Sequence, residues 1–398
     1  MSSPTIETAA GHRSKKSIPS SARADGPSAA ATANVRQLDL GRVQDLSILN
    51  EAGEVNAELD PKLPSDELRR IYRAMILTRK LDTRMLNMQR QGQMGTFAPG
   101  FGQEATQIGQ VYALTSRDWF SPSYRSFGAQ MWRGWPIDQL MLLWDGFFAG
   151  FAPPEDVNDM PFSIVIGSHV PVAVGIGMGM RYRGDAHAVV TNFGDGALSE
   201  GAVAEALNFA AVYKAPVVFI CENNGYAIST PIEKQHAVKE LVRRGPGFGL
   251  ASIRVDGNDI LAMITACTNA VERARRGDGA TFIEAVTYRM SVHTTADDPK
   301  VYREDSESAQ WEKKCPIARF EMYLRSTGTM TDEDFARIAE ECEKEVLEGR
   351  DRFRARAQAD PHEIFEFMFE DMPPELREQQ REYFERLARK GIERASGE

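Results

Sequence analysis

Asp195, set between Gly194 and Gly196, and the pair Asn223–Asn224 are the residues of this sequence best suited to hold a hard cation. Both groups follow apolar runs. Residues 188–193 and 216–221 are rich in Val, Phe and Ile and have the length of strands buried on both faces. A carboxylate and an amide oxygen are therefore expected at the carboxyl ends of adjacent parallel strands, where open α/β sheets place their ligands. Mg²⁺ takes octahedral oxygen donors and is commonly held by one or two side chains plus phosphate oxygens. Diphosphate binding through a divalent cation is the chemistry this pair suits. The two glycines let the backbone come close to phosphate, and the amides that open the next helix offer the positive end of its dipole. Either half alone reads as a tight turn or a surface loop. Together, separated by the 26 residues 197–222, they read as a diphosphate site.

The elements that must position these residues are legible in the same way. Leu198 to Lys214 carries Leu198, Val203, Leu207, Ala210 and Ala211 at helical spacing and returns the chain for the second strand. Residues 118–125 predict a short strand and turn ending in Tyr124–Arg125, and Arg is the side chain best shaped to fork around phosphate oxygens. A final clear strand over 281–288 leads into a polar loop that bears His293, with Arg289, Asp297, Asp298, Tyr302 and Arg303 available to order it. Gly175, Gly177 and Gly179 read as small residues on a close-packed helix, not as a dinucleotide loop. A long helix is predicted from Asp66 to about Gln91. Thr331 and Asp334 form a capping-box start with the stripe Phe335, Ile338, Cys342 and Val346 behind it, and a last helix runs from about Pro374 to Lys390.

Composition bounds the rest. The chain has 398 residues and a formal charge of −10, which argues against a nucleic-acid binder. Its cysteines, at 221, 267, 315 and 342, form no C-x-x-C pair, so no zinc site or disulfide framework is implied. No apolar run is long enough to span a bilayer. Residues 1–36, rich in Ala, Ser and Pro, are expected to be a disordered arm. Residues 37–64 are expected to be an extended lead-in with a turn at Glu51–Gly53, residues 65–330 the α/β domain, and 331–398 C-terminal helices. The fold class expected is a doubly wound, mainly parallel sheet flanked by helices. A bacterial, cytoplasmic setting is expected in preference to the mitochondrial matrix.

From roughly residue 60 onward the motifs GDGALSEG, NNGYAIST, RVDGND, EAVTYR and HTTADD resemble the alpha chain of the decarboxylating component of 2-oxo acid dehydrogenase complexes. That resemblance implies a thiamine diphosphate-binding fold, thiamine diphosphate with Mg²⁺ as cofactors, and an α2β2 heterotetramer with a beta subunit. It assigns Asp195, Asn224 and the carbonyl of Tyr226 to the metal, and Tyr124, Arg125, Gly196 and Ala197 to the diphosphate. Ile164 and Ile166 are assigned to the aminopyrimidine, and His293 to stabilising the reacting intermediate and assisting acyl transfer to a lipoyl group on the acyltransferase component. The glutamate that activates the cofactor would belong to the beta subunit, so this chain alone is expected to be inactive. His169 stands where relatives often have Gln, which puts a monovalent-cation site in doubt, and Thr294 aligns with a serine that kinases modify in animal relatives. Pyruvate is the substrate expected, on Gln103 and Glu222; a branched-chain 2-oxo acid and acetoin are the alternatives.

Overall fold

The structure is a computed structural model, and it describes residues 43–358 and 360–390. The expectation for residues 1–36 lies outside the described residues.

Seven strands form one sheet: β1 (Gln44–Leu46), β2 (Trp119–Ser121), β3 (Asn158–Asp159), β4 (Val189–Gly194), β5 (Val217–Asn223), β6 (Ala251–Asp256) and β7 (Thr281–Val286). Their spatial order is β1-β6-β7-β5-β4-β2-β3, and every pairing in it is parallel. Strand β5 is buried at every position, and β4 and β7 at all but the last. That is why their sequences read as unbroken apolar runs and not as alternating ones. Successive residues nonetheless serve opposite faces. Val218 and Ile220 join one core cluster, whereas Val217, Phe219 and Cys221 join the other.

Helices cover both faces, giving the doubly wound arrangement. One face packs against α1 (Ser65–Arg90), α2 (Glu104–Gly109) and α5 (Ile260–Arg275), the other against α3 (His169–Arg183) and α4 (Gly201–Val212). Helix α1 buries Leu68, Ile71, Tyr72, Met75, Leu81, Met85 and Met88, the stripe its spacing predicts. Helix α6 (Asp332–Arg356) begins in a true capping box, with the Thr331 hydroxyl accepting from Asp334 N and the Asp334 carboxylate accepting from Thr331 N. Its buried stripe, Phe335, Ile338, Cys342 and Val346, extends to Gly349 and Phe353. Helix α7 (Pro374–Arg389) buries none of its residues.

Two expectations need correction and one is sharpened. The helix placed from Leu198 to Lys214 begins at Gly201, because Asp195–Ser199 winds as a tighter 3₁₀ turn first. The segment expected to be extended contributes edge strand β1, registered on Ile253–Val255. Of the three glycines in α3, only Gly177 is required by packing: a Cβ there would meet Val217 Cγ2 at 2.8 Å, whereas Gly175 and Gly179 face open space.

Candidate active site

Strands β7, β5, β4 and β2 are consecutive in the sheet, and the loops leaving their carboxyl ends converge. Register fixes the convergence. Gly194 lies opposite Glu222, and Asn223 opposite Val286, so Asp195, Asn224 and the segment from Thr287 emerge at one level. Ser121 pairs with Thr191, which brings the Ser123–Arg125 turn beside them. The result is a cavity of about 240 Å³ lined by Tyr124, Arg125, Ile166, Asp195, Gly196, Ala197, Asn224, Tyr226 and His293, among others. All nine come from the candidates named on sequence. Ile164 is the exception: it is 67% exposed and does not line the cavity.

Asp195 is fully buried. Its Oδ2 accepts a hydrogen bond from Gln235 Nε2 at 3.0 Å, and its Oδ1 has no hydrogen-bond partner among the described residues. Burial pushes its carboxyl up to about 6. A buried carboxylate oxygen without a donor is costly unless a cation completes it. Asn224 lines the same cavity, with Oδ1 accepting from Tyr226 N at 3.2 Å. Gly225, at φ +84°, turns the chain between them in the left-handed region that favours glycine. The Asp195 carboxylate and the Asn224 amide give the cavity an all-oxygen donor set. That set suits Mg²⁺ when further oxygens come from a ligand.

The two glycines around Asp195 differ in what surrounds them. Gly194 has an extended backbone (φ −74°) and open space where a Cβ would stand. A Cβ on Gly196 would instead lie 2.8 Å from Ala227 Cβ, so this glycine lets the turn close against the Tyr226–Ala227 strand of a small hairpin.

His293 is held from both sides. Its amide donates to Asp297 Oδ2 at 2.7 Å, and Arg125 Nη2 donates to its carbonyl at 3.1 Å and stands 3.3 Å from its Nδ1. A guanidinium can only donate, so Nδ1 is the acceptor and the neutral ring carries its proton on Nε2. Burial, with the charges of Arg125 and Arg289 behind it, pushes the imidazole down to about 3, so it is neutral across the physiological range. The loop is knitted by Tyr302, whose hydroxyl donates to Asp297 Oδ2 at 2.7 Å, and by buried Arg289, which donates to Tyr302 Oη and to Ile228 O. Arg303 Nη1 closes it on Arg289 O at 2.6 Å. Arg125 also donates to Pro99 O, a further contact that fixes its guanidinium.

Two residues that touch Asp195 carry no signature in the sequence. Gln235, the last residue of the short helix after the hairpin, and His236, just beyond it, meet Asp195 by its side chain and its carbonyl respectively. Glu222 lines the cavity from inside β5, buried and pushed up to about 7, with Oε1 accepting from Asn192 Nδ2 at 3.0 Å and Gln110 Nε2 at 3.3 Å. On sequence Glu222 serves only as a clue to the substrate; its charge within an otherwise apolar strand is the signal that marks it as part of the site. His169 sits at the start of α3 with Nε2 2.8 Å from Asn192 O, its imidazole held low by burial.

The model for the dehydrogenase E1 component family matches residues 72–362. Among curated proteins, the chain is 42% identical to the pyruvate dehydrogenase E1 component subunit alpha of Acholeplasma laidlawii, over 83% of this chain and 96% of that one. It is 39% identical to the proteins of the same name from Bacillus subtilis (83% and 90% covered) and Bacillus cereus (86% and 93%). The matched span holds every strand from β2 to β7 and all the cavity-lining residues above. With the doubly wound sheet and the convergence of its four central loops, this places the chain in the dehydrogenase E1 component family.

Proposed function

We propose that this chain is the alpha subunit of a pyruvate dehydrogenase. With a beta subunit it converts pyruvate and oxidised lipoamide to CO₂ and S-acetyldihydrolipoamide. The two electrons released as the carbonyl carbon rises to the acyl level reduce the lipoyl disulfide. The observation that carries the reading is Asp195, a buried carboxylate whose Oδ1 has no hydrogen-bond partner among the described residues, in the lining of a cavity shared with Asn224, Arg125 and His293. That these relatives are pyruvate dehydrogenase subunits supports pyruvate as the substrate over a branched-chain acid or acetoin.

The residues present fit thiamine diphosphate and Mg²⁺. Asp195, Asn224 and the Tyr226 carbonyl would hold the cation, Tyr124, Arg125, Gly196 and Ala197 the diphosphate end, and Ile166 from the cavity wall, with Ile164 exposed outside it, the aminopyrimidine. Thiamine diphosphate supplies the electron sink for decarboxylation, chemistry that no side chain provides. The protein's part is orientation and electrostatics. Arg125 brings a fixed positive charge to the anionic end and, by occupying Nδ1, leaves Nε2–H of His293 as the donor available to a substrate oxygen. A neutral imidazole placed this way stabilises developing negative charge without competing with Arg125 for it.

The partner is a beta subunit in an α2β2 assembly, and a lipoyl-bearing acyltransferase takes the product. Ile164, Val165 and Ile166 are 67%, 69% and 46% exposed, flanked in the chain by cavity-lining Ser163 and Gly167. Contiguous apolar exposure at a cavity rim marks a surface that another chain or ligand covers. The test is decarboxylation by the chain co-expressed with its beta subunit, given thiamine diphosphate, Mg²⁺ and an artificial electron acceptor. A kcat/KM for pyruvate well above that for 3-methyl-2-oxobutanoate and acetoin is the expected result. The reverse order moves the protein to the branched-chain or acetoin reading.

A further inference from the structure

The short helix Ile232–Gln235 and the segment after it touch the Asp195 turn at three points, and one arginine stands behind two of them. Gln235 Nε2 donates both to Asp195 Oδ2 at 3.0 Å and to Thr230 O at 2.8 Å, so the amide nitrogen is held inward. His236 is buried, with Nε2 3.2 Å from Asp195 O and Nδ1 3.1 Å from Arg244 Nη2. Because Arg244 can only donate, Nδ1 accepts and Nε2–H is the donor to the Asp195 carbonyl. Arg244 Nη1 donates in turn to Leu198 O at 2.8 Å. Arg244 therefore braces both ends of the 3₁₀ turn, directly at Leu198 and through His236 at Asp195.

We propose that Gln235 is a positioning residue for Asp195, and that the His236–Arg244 pair locks the turn on which it acts, so that this segment sets the site's affinity for its cation. The proposal rests on the reading of Asp195 as a cation ligand. With Oδ2 engaged by Gln235, Oδ1 is the oxygen left without a hydrogen-bond partner among the described residues, which favours Asp195 as a one-oxygen ligand at a fixed angle. Without the amide, the carboxylate is free to rotate, and each coordination event must order it first. Partners that orient a metal ligand typically change affinity roughly 10–100-fold when removed.

The test uses the full chain co-purified with its beta subunit and Mn²⁺ as a paramagnetic stand-in for Mg²⁺, titrated by electron paramagnetic resonance with thiamine diphosphate present. Gln235→Met keeps the side-chain length and removes the donor; Gln235→Ala removes both. Expected for each is a Kd for Mn²⁺ raised roughly 10–100-fold, with kcat recovering at saturating cation while the cation KM stays high. A merely structural role would lower the melting temperature and kcat together without that split. Should Gln235→Ala fail to fold, Gln235→Met decides the question. Wild-type Mn²⁺ affinity in Gln235→Met, in a complex where Asp195→Asn abolishes binding, overturns the positioning role alone. If the wild-type complex binds no Mn²⁺ at this site and Asp195→Asn changes nothing, the cation reading falls and takes the proposal with it.

Discussion

Asp195 must be ionised to hold a cation, yet burial favours its neutral form and pushes its carboxyl up to about 6. Two opposite pH dependences follow. Without cation, the folded chain retains a proton between the usual carboxylate range and pH 6 that the unfolded chain gives up. Its contribution to stability therefore falls as pH rises through that window. With cation, binding requires the carboxylate, so affinity should drop about tenfold for each unit below pH 6, with one proton taken up per ion released. Calorimetric titration with Mg²⁺ and thiamine diphosphate at pH 5, 6 and 7 measures both the trend and the proton count. An affinity flat across that range would mean that Asp195 is not the ligand.

At the scale of elements, two contacts fix the geometry from a distance. Gly196 allows the Asp195 turn to close on the Tyr226–Ala227 hairpin, where a Cβ would stand 2.8 Å from Ala227 Cβ. Gly196→Ala should cost about 1–3 kcal/mol by overpacking, seen as a lowered melting temperature, and should weaken cation binding by moving Asp195 away from Asn224. Asp259 ties the lead-in segment to the sheet. Its Oδ1 caps α5 at Leu261 N and Ala262 N, and its Oδ2 accepts from Ile48 N and Leu49 N at 2.5 and 2.6 Å. Removing the cap costs about 1 kcal/mol, and each buried amide left without an acceptor roughly 1–3 more. Asp259→Ala should therefore lower unfolding stability by about 3 kcal/mol or more in urea titrations, with β1 released from β6.

For the whole molecule, the cavity is assembled from four strand ends, so a ligand seated there is bound only by the folded state. Thiamine diphosphate with Mg²⁺, at a hundred times its Kd, should raise the stability of the alpha–beta complex by about 2.7 kcal/mol. The isolated chain should show a smaller rise and no decarboxylation, because the rim at Ile164–Ile166 is open. Thermal melts of the two samples, with and without ligand, check this. Much of the architecture was open to reading in the sequence. Strands β4, β5 and β7 are buried on both faces and so spell themselves as apolar runs, and a cation site at two adjacent strand ends needs only the residues that follow each run. The boundaries were less legible: a 3₁₀ turn and an α-helix share apolar spacing over so few residues that Leu198 looked helical. Edge strand β1, with little of its surface buried, has no periodicity to betray it. What the sequence by itself determined is therefore the buried central strands and the placing of Asp195 and Asn224 at the ends of two neighbouring ones, since burial on both faces is written in local composition. What only the tertiary structure decided is who holds those residues in place: Gln235, His236 and Arg244 reach Asp195 and Leu198 from some 40 residues or more along the chain, and contacts between segments so far apart leave no local pattern to read.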